Sequence, residues 1–377
     1  MRKLVLLVLC ALAVVYIQAV PTRAEEAVTL PQEYHDLESY IPEDIFEYLP
    51  DGLFGENAED TQNAVMSMVD FDYLVDFASR LINIELKSSI SLLLAVFAAI
   101  MLGTVTNSLS SDSLSGAGRE ISSFLSNLCF LSILLSFGGD MLECAEVFFN
   151  RINLFMLGMI PVMCTLCAMG GALASAVTVN YGISAFLSIS EMALSKTITP
   201  IVAACIGLAS VGGIGESSVG KSLLSTVKRT YVFLIGMLMT VMMFVFSARG
   251  IMSHSADTLG GRAIKFAAGS FIPIVGSNIG EILRGVGSGL AYVRNTVGVV
   301  AVVMIFMMIL PVFVNVVFRR LVLGIAGALA DFLGMNACSR LINEFSSIYG
   351  MLLAVISMSS MLFIGAVIIC VKIGSSI

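Results

Sequence analysis

The chain has 377 residues, 58% of them hydrophobic and 12% charged, with a mean hydropathy of +0.96 and a formal net charge of −7. Soluble domains carry about a quarter charged residues, and no soluble core could hide this much apolar surface, so composition excludes a soluble protein and leaves a membrane protein. Abundant Gly (33) and Met (22), with no Trp, suit tightly packed membrane helices.

Arg2 and Lys3 precede an apolar run over 4–15, and Thr22-Arg23-Ala24 stands ahead of Glu25-Glu26. This order predicts a secretory signal peptide over 1–24, cleaved after Ala24, with an uncleaved anchor helix as the alternative. Either way residue 25 begins outside the cytoplasm. Residues 25–90 then hold 16 of the 27 acids and only two bases, Arg80 and Lys87, whereas the remainder is slightly basic. A small acidic extracytoplasmic module over 25–88 is expected, ahead of a polytopic membrane domain over 89–377. Pro31 and Pro42 suit first helical positions. From 61 to 87 a helical period places Val65, Met68, Val75, Ala78, Leu81 and Ile82 on one face. No basic patch with interleaved aromatics occurs, so nucleic acid is not expected as a partner.

None of the eight cysteines lies in the acidic module, which argues against a disulfide framework. Cys164 and Cys167 have redox or metal spacing, but inside an apolar helix cysteine is more often a small hydrophobe. With only His35 and His254 in the chain, no metal site and no cofactor are expected.

Stretches apolar enough to span fall at 90–105, 121–138, 153–169, 197–212, 230–247, 296–318 and 348–371, with weaker ones at 172–190, 266–283 and 321–333. They predict an all-α fold of about seven to nine transmembrane or re-entrant helices, with an acidic loop over 140–146. The positive-inside rule orients the front half and leaves 248–295 unresolved.

A faint echo recurs at 111 residues. Arg151, Phe155, Gly158, Tyr181 and Pro200 match Arg262, Phe266, Gly269, Tyr292 and Pro311, and Pro161 pairs with Pro273 after one insertion. Read as a duplication of 151–250 in 262–372, it gives two Gly/Pro-interrupted segments at corresponding positions, and such breaks mark functional centres in transporters. Gly269, Pro273 and Gly276, with Glu281 and Arg284 at i,i+3, form the segment expected to be most sensitive, and Gly158 and Pro161 its counterpart. Asp331 interrupts the apolar run over 321–333, and Glu191 ends another; an acid within a membrane segment is a functional candidate, and an interface between spans is the plainer reading.

Residues 215–222, GESSVGKS, match the phosphate-loop pattern through Gly215, Gly220, Lys221 and Ser222. A working loop needs a strand before it and a sheet that supplies a magnesium ligand. Here an apolar helix precedes it and another follows within eight residues, so the match is coincidental and 213–229 is expected to be a turn. No Ser/His/Asp, Cys/His or paired-carboxylate arrangement indicates a catalytic site.

The stretch KFAAGSFIPIVG over 265–276, followed by NTVG at 295–298, resembles the stage III sporulation protein AE family of endospore-forming bacteria. The resemblance implies a multi-pass subunit in the mother-cell membrane around the forespore, belonging to a secretion or feeding channel that serves late forespore gene expression. Its partners would be the lipid bilayer and the other membrane proteins of its operon, including a separate secretion-type ATPase. The family brings no catalytic residues. Gly324, Gly327 and Ala330 have the small-residue spacing of helix contacts. A transporter acting alone is the alternative, favoured by the echo, Glu281 and Asp331, and a P-loop NTPase is a distant third.

Overall fold

The computed structural model describes residues 30–373 apart from 47, 51, 56, 114–115, 215–217 and 272–275. The leader over 1–24 and the acids at 25 and 26 lie outside the described residues.

Short elements come first: α1 (Gln32–His35), a 3-10 turn (Asp36–Tyr40), α2 (Glu43–Phe46) and α3 (Ala58–Val69). Asn57 stands at the N-cap of α3 with no side-chain bond to the helix backbone; its amide donates instead to Asp60 Oδ2 at 3.2 Å, and Glu59 and Asp60 put negative charge at the positive helix end. Asp70 is extended (ψ 137°) and resets the helical phase before the next element begins at Phe71. The single face expected over 61–87 therefore does not form. Val65, Met68 and Leu81 are buried, but Val75 and Ile82 are exposed.

Five long helices and one two-part helix follow: α4 (Phe71–Ser113), α5 (Gly116–Met169), α6 (Leu173–Ser190) joined through a π-helical turn (Glu191–Ser195) to α7 (Lys196–Ile214), α8 (Ser218–Phe271), α9 (Gly276–Phe332) and α10 (Asn336–Ile373). Each carries an apolar stretch long enough to cross a bilayer, giving six candidate spans among the described residues. The fold is an all-α polytopic membrane bundle, with six long rods in place of seven to nine shorter segments.

The difference has a physical cause. Charged interruptions between apolar segments do not end a helix when they share a face. In α5, Asp140, Glu143 and Glu146 stand at i, i+3 and i+6 and point outward, while Met141, Ala145, Phe148 and Phe149 keep the other face buried. The expected acidic loop is thus one continuous helix joining 121–138 to 153–169. Likewise α4 runs unbroken through 88/89, where the sequence suggests the edge of the acidic module. Pro161, Pro200 and Pro311 sit inside α5, α7 and α9, as membrane helices tolerate where neighbours supply alternative partners.

At the centre lie α9 and α10. Within the α9 span Gly289–Phe332 the most apolar stretch is 67% buried, against 22% for that of the α8 span Ser222–Leu259. A side chain at Gly298 would run into Val371, so this glycine sets the closest approach of the central pair. Gly327 faces Asn343 and Ala330 is buried on the same contact, whereas Gly324 is exposed.

Candidate functional site

Three polar features stand out in this apolar bundle. The first is a chain of contacts that ties all six long helices together. Asn315 of α9 donates to Glu85 of α4 at 2.7 Å. Arg319 of α9 and Tyr349 of α10 both donate to the Phe137 carbonyl of α5, each at 3.2 Å. Ser195, in the π turn, donates to Asn150 of α5 at 3.0 Å, and Thr197 pairs with Tyr231 of α8 at 3.0 Å. Lys228 of α8 completes the set, donating to Glu344 at 3.2 Å and Ser347 at 2.7 Å on α10. Polar groups in a low-dielectric interior hold one arrangement strongly because leaving them unpaired is costly.

The second feature is a cavity of about 410 Å³ between α4, α5 and α9, lined by Glu85, Asp140, Glu143, Cys144, Arg151 and Asn315 among others. Ile45 of α2 closes one side. Beyond it a second cavity of about 540 Å³ lies between Arg151, Leu154 and residues 39–43. The N-terminal segment sits between the two. Its ridge of Leu30, Tyr34, Leu37, Ile41 and Ile45 is buried, Glu33 accepts from Thr165 of α5 at 3.2 Å, and the Tyr40 ring lies over Gly158. A Cβ at Gly158 would come within 2.7 Å of that ring. Burial pushes the Tyr34 phenol well above the ordinary tyrosine range, and its hydroxyl donates to the Leu53 carbonyl at 2.8 Å.

The third is the corner between α5 and α6. Arg294 of α9, only 2% exposed, donates to the Leu166 carbonyl at 2.8 Å, near the carboxyl end of α5. Asp257 of α8 accepts from the Ala174 and Ser175 amides at 2.9 and 2.8 Å and from the Ser175 hydroxyl, at the amino end of α6. A cation meets the negative end of one helix and an anion the positive end of the next.

The residues singled out by sequence fall in several places. Gly215 lies outside the described residues, while Gly220, Lys221 and Ser222 belong to the first turn of α8. Helix α7 precedes them, so the strand-loop-helix setting of a phosphate site is not formed, and the described residues of 213–229 are helical, where a turn was expected. Pro273 lies outside the described residues; α9 begins at Gly276, Gly269 belongs to α8, and Glu281 and Arg284 to α9. The break expected there falls on residues 272–275, outside the described residues. Its expected counterpart at Gly158 and Pro161 is not interrupted, since α5 continues through both. Asp331 stands exposed in the last turn of α9, not midway along a span. Arg294 and Asp257 carry no sequence motif. The signal that could have exposed Arg294 is its place two residues before the long apolar run at 296–318, and Gly170-Gly171 marks the turn it serves.

These observations define a multi-pass, all-α membrane protein with an N-terminal segment packed on its flank. Residues 57–374 match the model of the family described as stage III sporulation protein AE. The chain belongs to that family, and with it to proteins of sporulation. It is 21% identical over 221 residues to the stage III sporulation protein AE of Bacillus subtilis (strain 168), covering 59% of this chain and 55% of that relative. The match spans little more than half the relative's length. No solved structure matches the chain.

Proposed function

We propose that the protein is a membrane subunit of a mother cell-to-forespore secretion or feeding channel, needed for late forespore gene expression. The observation that carries this reading is the family match over 57–374 laid on a bundle of six long apolar helices. In it the chain sits in the mother-cell membrane with its acidic N-terminal segment on the intermembrane side. It has no catalytic step of its own; energy comes from a separate secretion-type ATPase among its partners, the other membrane proteins of the same operon. The helical setting of residues 218–222 supports that division of labour, because phosphates are cradled by a loop following a strand.

In-cell cross-linking in the sporulating host, followed by purification and mass spectrometry, tests the proposal. Co-recovery of the sister channel proteins is expected. Recovery of the protein alone, with solute flux when it is reconstituted in liposomes, would instead establish an independent transporter. Pro273→Leu and Gly276→Leu should each abolish sporulation while the protein still accumulates, and normal spore counts would remove the sensitive role given to that segment.

A further inference from the structure

We infer that the outer face of α5, with residues 30–50 laid along it, borders an aqueous space at bilayer depth, while α8 on the opposite side of the bundle borders lipid. In the proposed channel this is the face that would line the conduit, and it rests on that reading only for what the space carries.

Helix α8 fixes the lipid side. Residues 230–248 contain no charged side chain, and Arg229 and Arg249, both exposed, stand at the two ends. These nineteen helical residues rise about 29 Å, close to the roughly 30 Å of the hydrocarbon core. Phe233, Leu234, Met237, Val241 and Phe244 are exposed along them, Phe233 at 67% and Phe244 at 73%.

Two rows of contacts carry that depth across the bundle to α5. In the lower row Tyr231 of α8 pairs with Thr197, and two residues before it Ser195 donates to Asn150 of α5. In the upper row Asp257 of α8 accepts from Ala174 and Ser175 of α6. There the Cys164 thiol of α5 donates to the Ala176 carbonyl at 3.5 Å, and Thr165 donates to Glu33. The α5 stretch from Asn150 to Thr165 is therefore level with α8 from Tyr231 to Asp257. Residues 39–43 border Arg151 and Leu154, and Tyr40 lies over Gly158. These contacts fall in the lower half of the α5 interval, level with the uncharged part of α8.

At this height the α5 side is acidic. Asp36, Glu38 and Glu43 are exposed, residues 30–79 contain no Lys or Arg to pair with them, and the acidic surface continues past Arg151 to the exposed Glu143 and Asp140. Leu154 and Leu157 are half exposed among them, as single apolar residues on a wet surface commonly are. Carboxylates at the depth of acyl chains are costly and turn to a water-filled cavity. One lipid slab cannot wrap both faces, so the bundle stands as a partition between lipid and water.

Cysteines placed on each face read the contrast, because the ionised thiol is the nucleophile and a thiol ionises in water far more readily than in lipid. Ser39→Cys and Glu43→Cys lie on the α5 side, Phe233→Cys and Phe244→Cys on α8, and all four positions are exposed. Each full-length variant would be made in the sporulating host, open membrane fragments treated with a membrane-impermeant maleimide, and labelling followed by peptide mapping. The α5-side pair should label at least tenfold faster than the α8 pair. Equally slow labelling of both pairs would overturn the inference, since the α5 side would then be dry. So would fast labelling of the α8 pair, which would take that height out of the bilayer. Co-recovery of the sister proteins decides the channel separately. The contrast without them keeps the water-facing side on an independent transporter; the sister proteins without the contrast keep the channel and remove this wall.

Discussion

The α5–α6 and α9–α10 corners have the same backbone and opposite surroundings. Each ends its first helix on a left-handed glycine, Gly171 at φ 74° or Gly334 at φ 75°. Each closes with the same pair of hydrogen bonds: Gly171 to Ala168 and Ala172 to Cys167 in one, Gly334 to Asp331 and Met335 to Ala330 in the other. The residue after the glycine, Ala172 or Met335, is buried in both, completing the usual glycine-terminated helix end. Side chains separate them. The first corner is held by Arg294 and Asp257, reaching in from α9 and α8. At the second, Asp331 points into the surroundings. A turn's geometry is thus set locally by glycine and sequence spacing, while its attachment to the body is set by residues distant in the chain.

Removing the clamps tests that division. Arg294→Ala should have the largest effect, a loss of about 3 kcal/mol, because a large buried side chain vanishes and the Leu166 carbonyl loses its donor. Thermal melts of the detergent-solubilised protein, followed by circular dichroism at 222 nm, would show it. Arg294→Met refills most of the volume and should recover part of the loss, since a buried guanidinium is costly to desolvate. Asp257→Ala should cost about 1–3 kcal/mol by leaving two amides at the start of α6 without an acceptor. Hydrogen exchange at Ala174 and Ser175 should accelerate, with Asn336 at the other corner unchanged.

Gly171→Ala and Gly334→Ala probe what the corners share. Each should cost about 1–2 kcal/mol from the left-handed backbone, with matching drops in melting temperature; a marked difference would mean that the clamp resists backbone strain as well as anchoring the turn. Asp331→Asn should be smallest, within about 0.5 kcal/mol, as for surface substitutions generally, and a larger shift would give that acid a role its exposure does not suggest.

Fold class was legible from composition, because charge scarcity and apolar run length are read without knowing any contact. The number of rods was not. A hydropathy window treats Asp140, Glu143 and Glu146 as a gap, although their spacing leaves a buried face intact. Asp331 was conspicuous because it stands in an apolar run, yet it is Arg294 and Asp257 that hold a corner. Their partners lie 128 and 83 residues away, beyond anything a local pattern encodes. Gly158 was visible through the echo as half of a repeated break, but its smallness serves Tyr40.

The length of the rods has a consequence for the lipid. Helix α10, with 38 residues, is about 57 Å long, and the hydrocarbon core is about 30 Å thick. Even at a steep tilt of about 40° such a rod rises about 44 Å along the membrane normal. The exposed apolar side chains of α8 run from Leu223 to Leu259, so flat bilayer cannot cover them all at once. Thicker leaflets, or lateral neighbours in place of lipid, would cover the remainder.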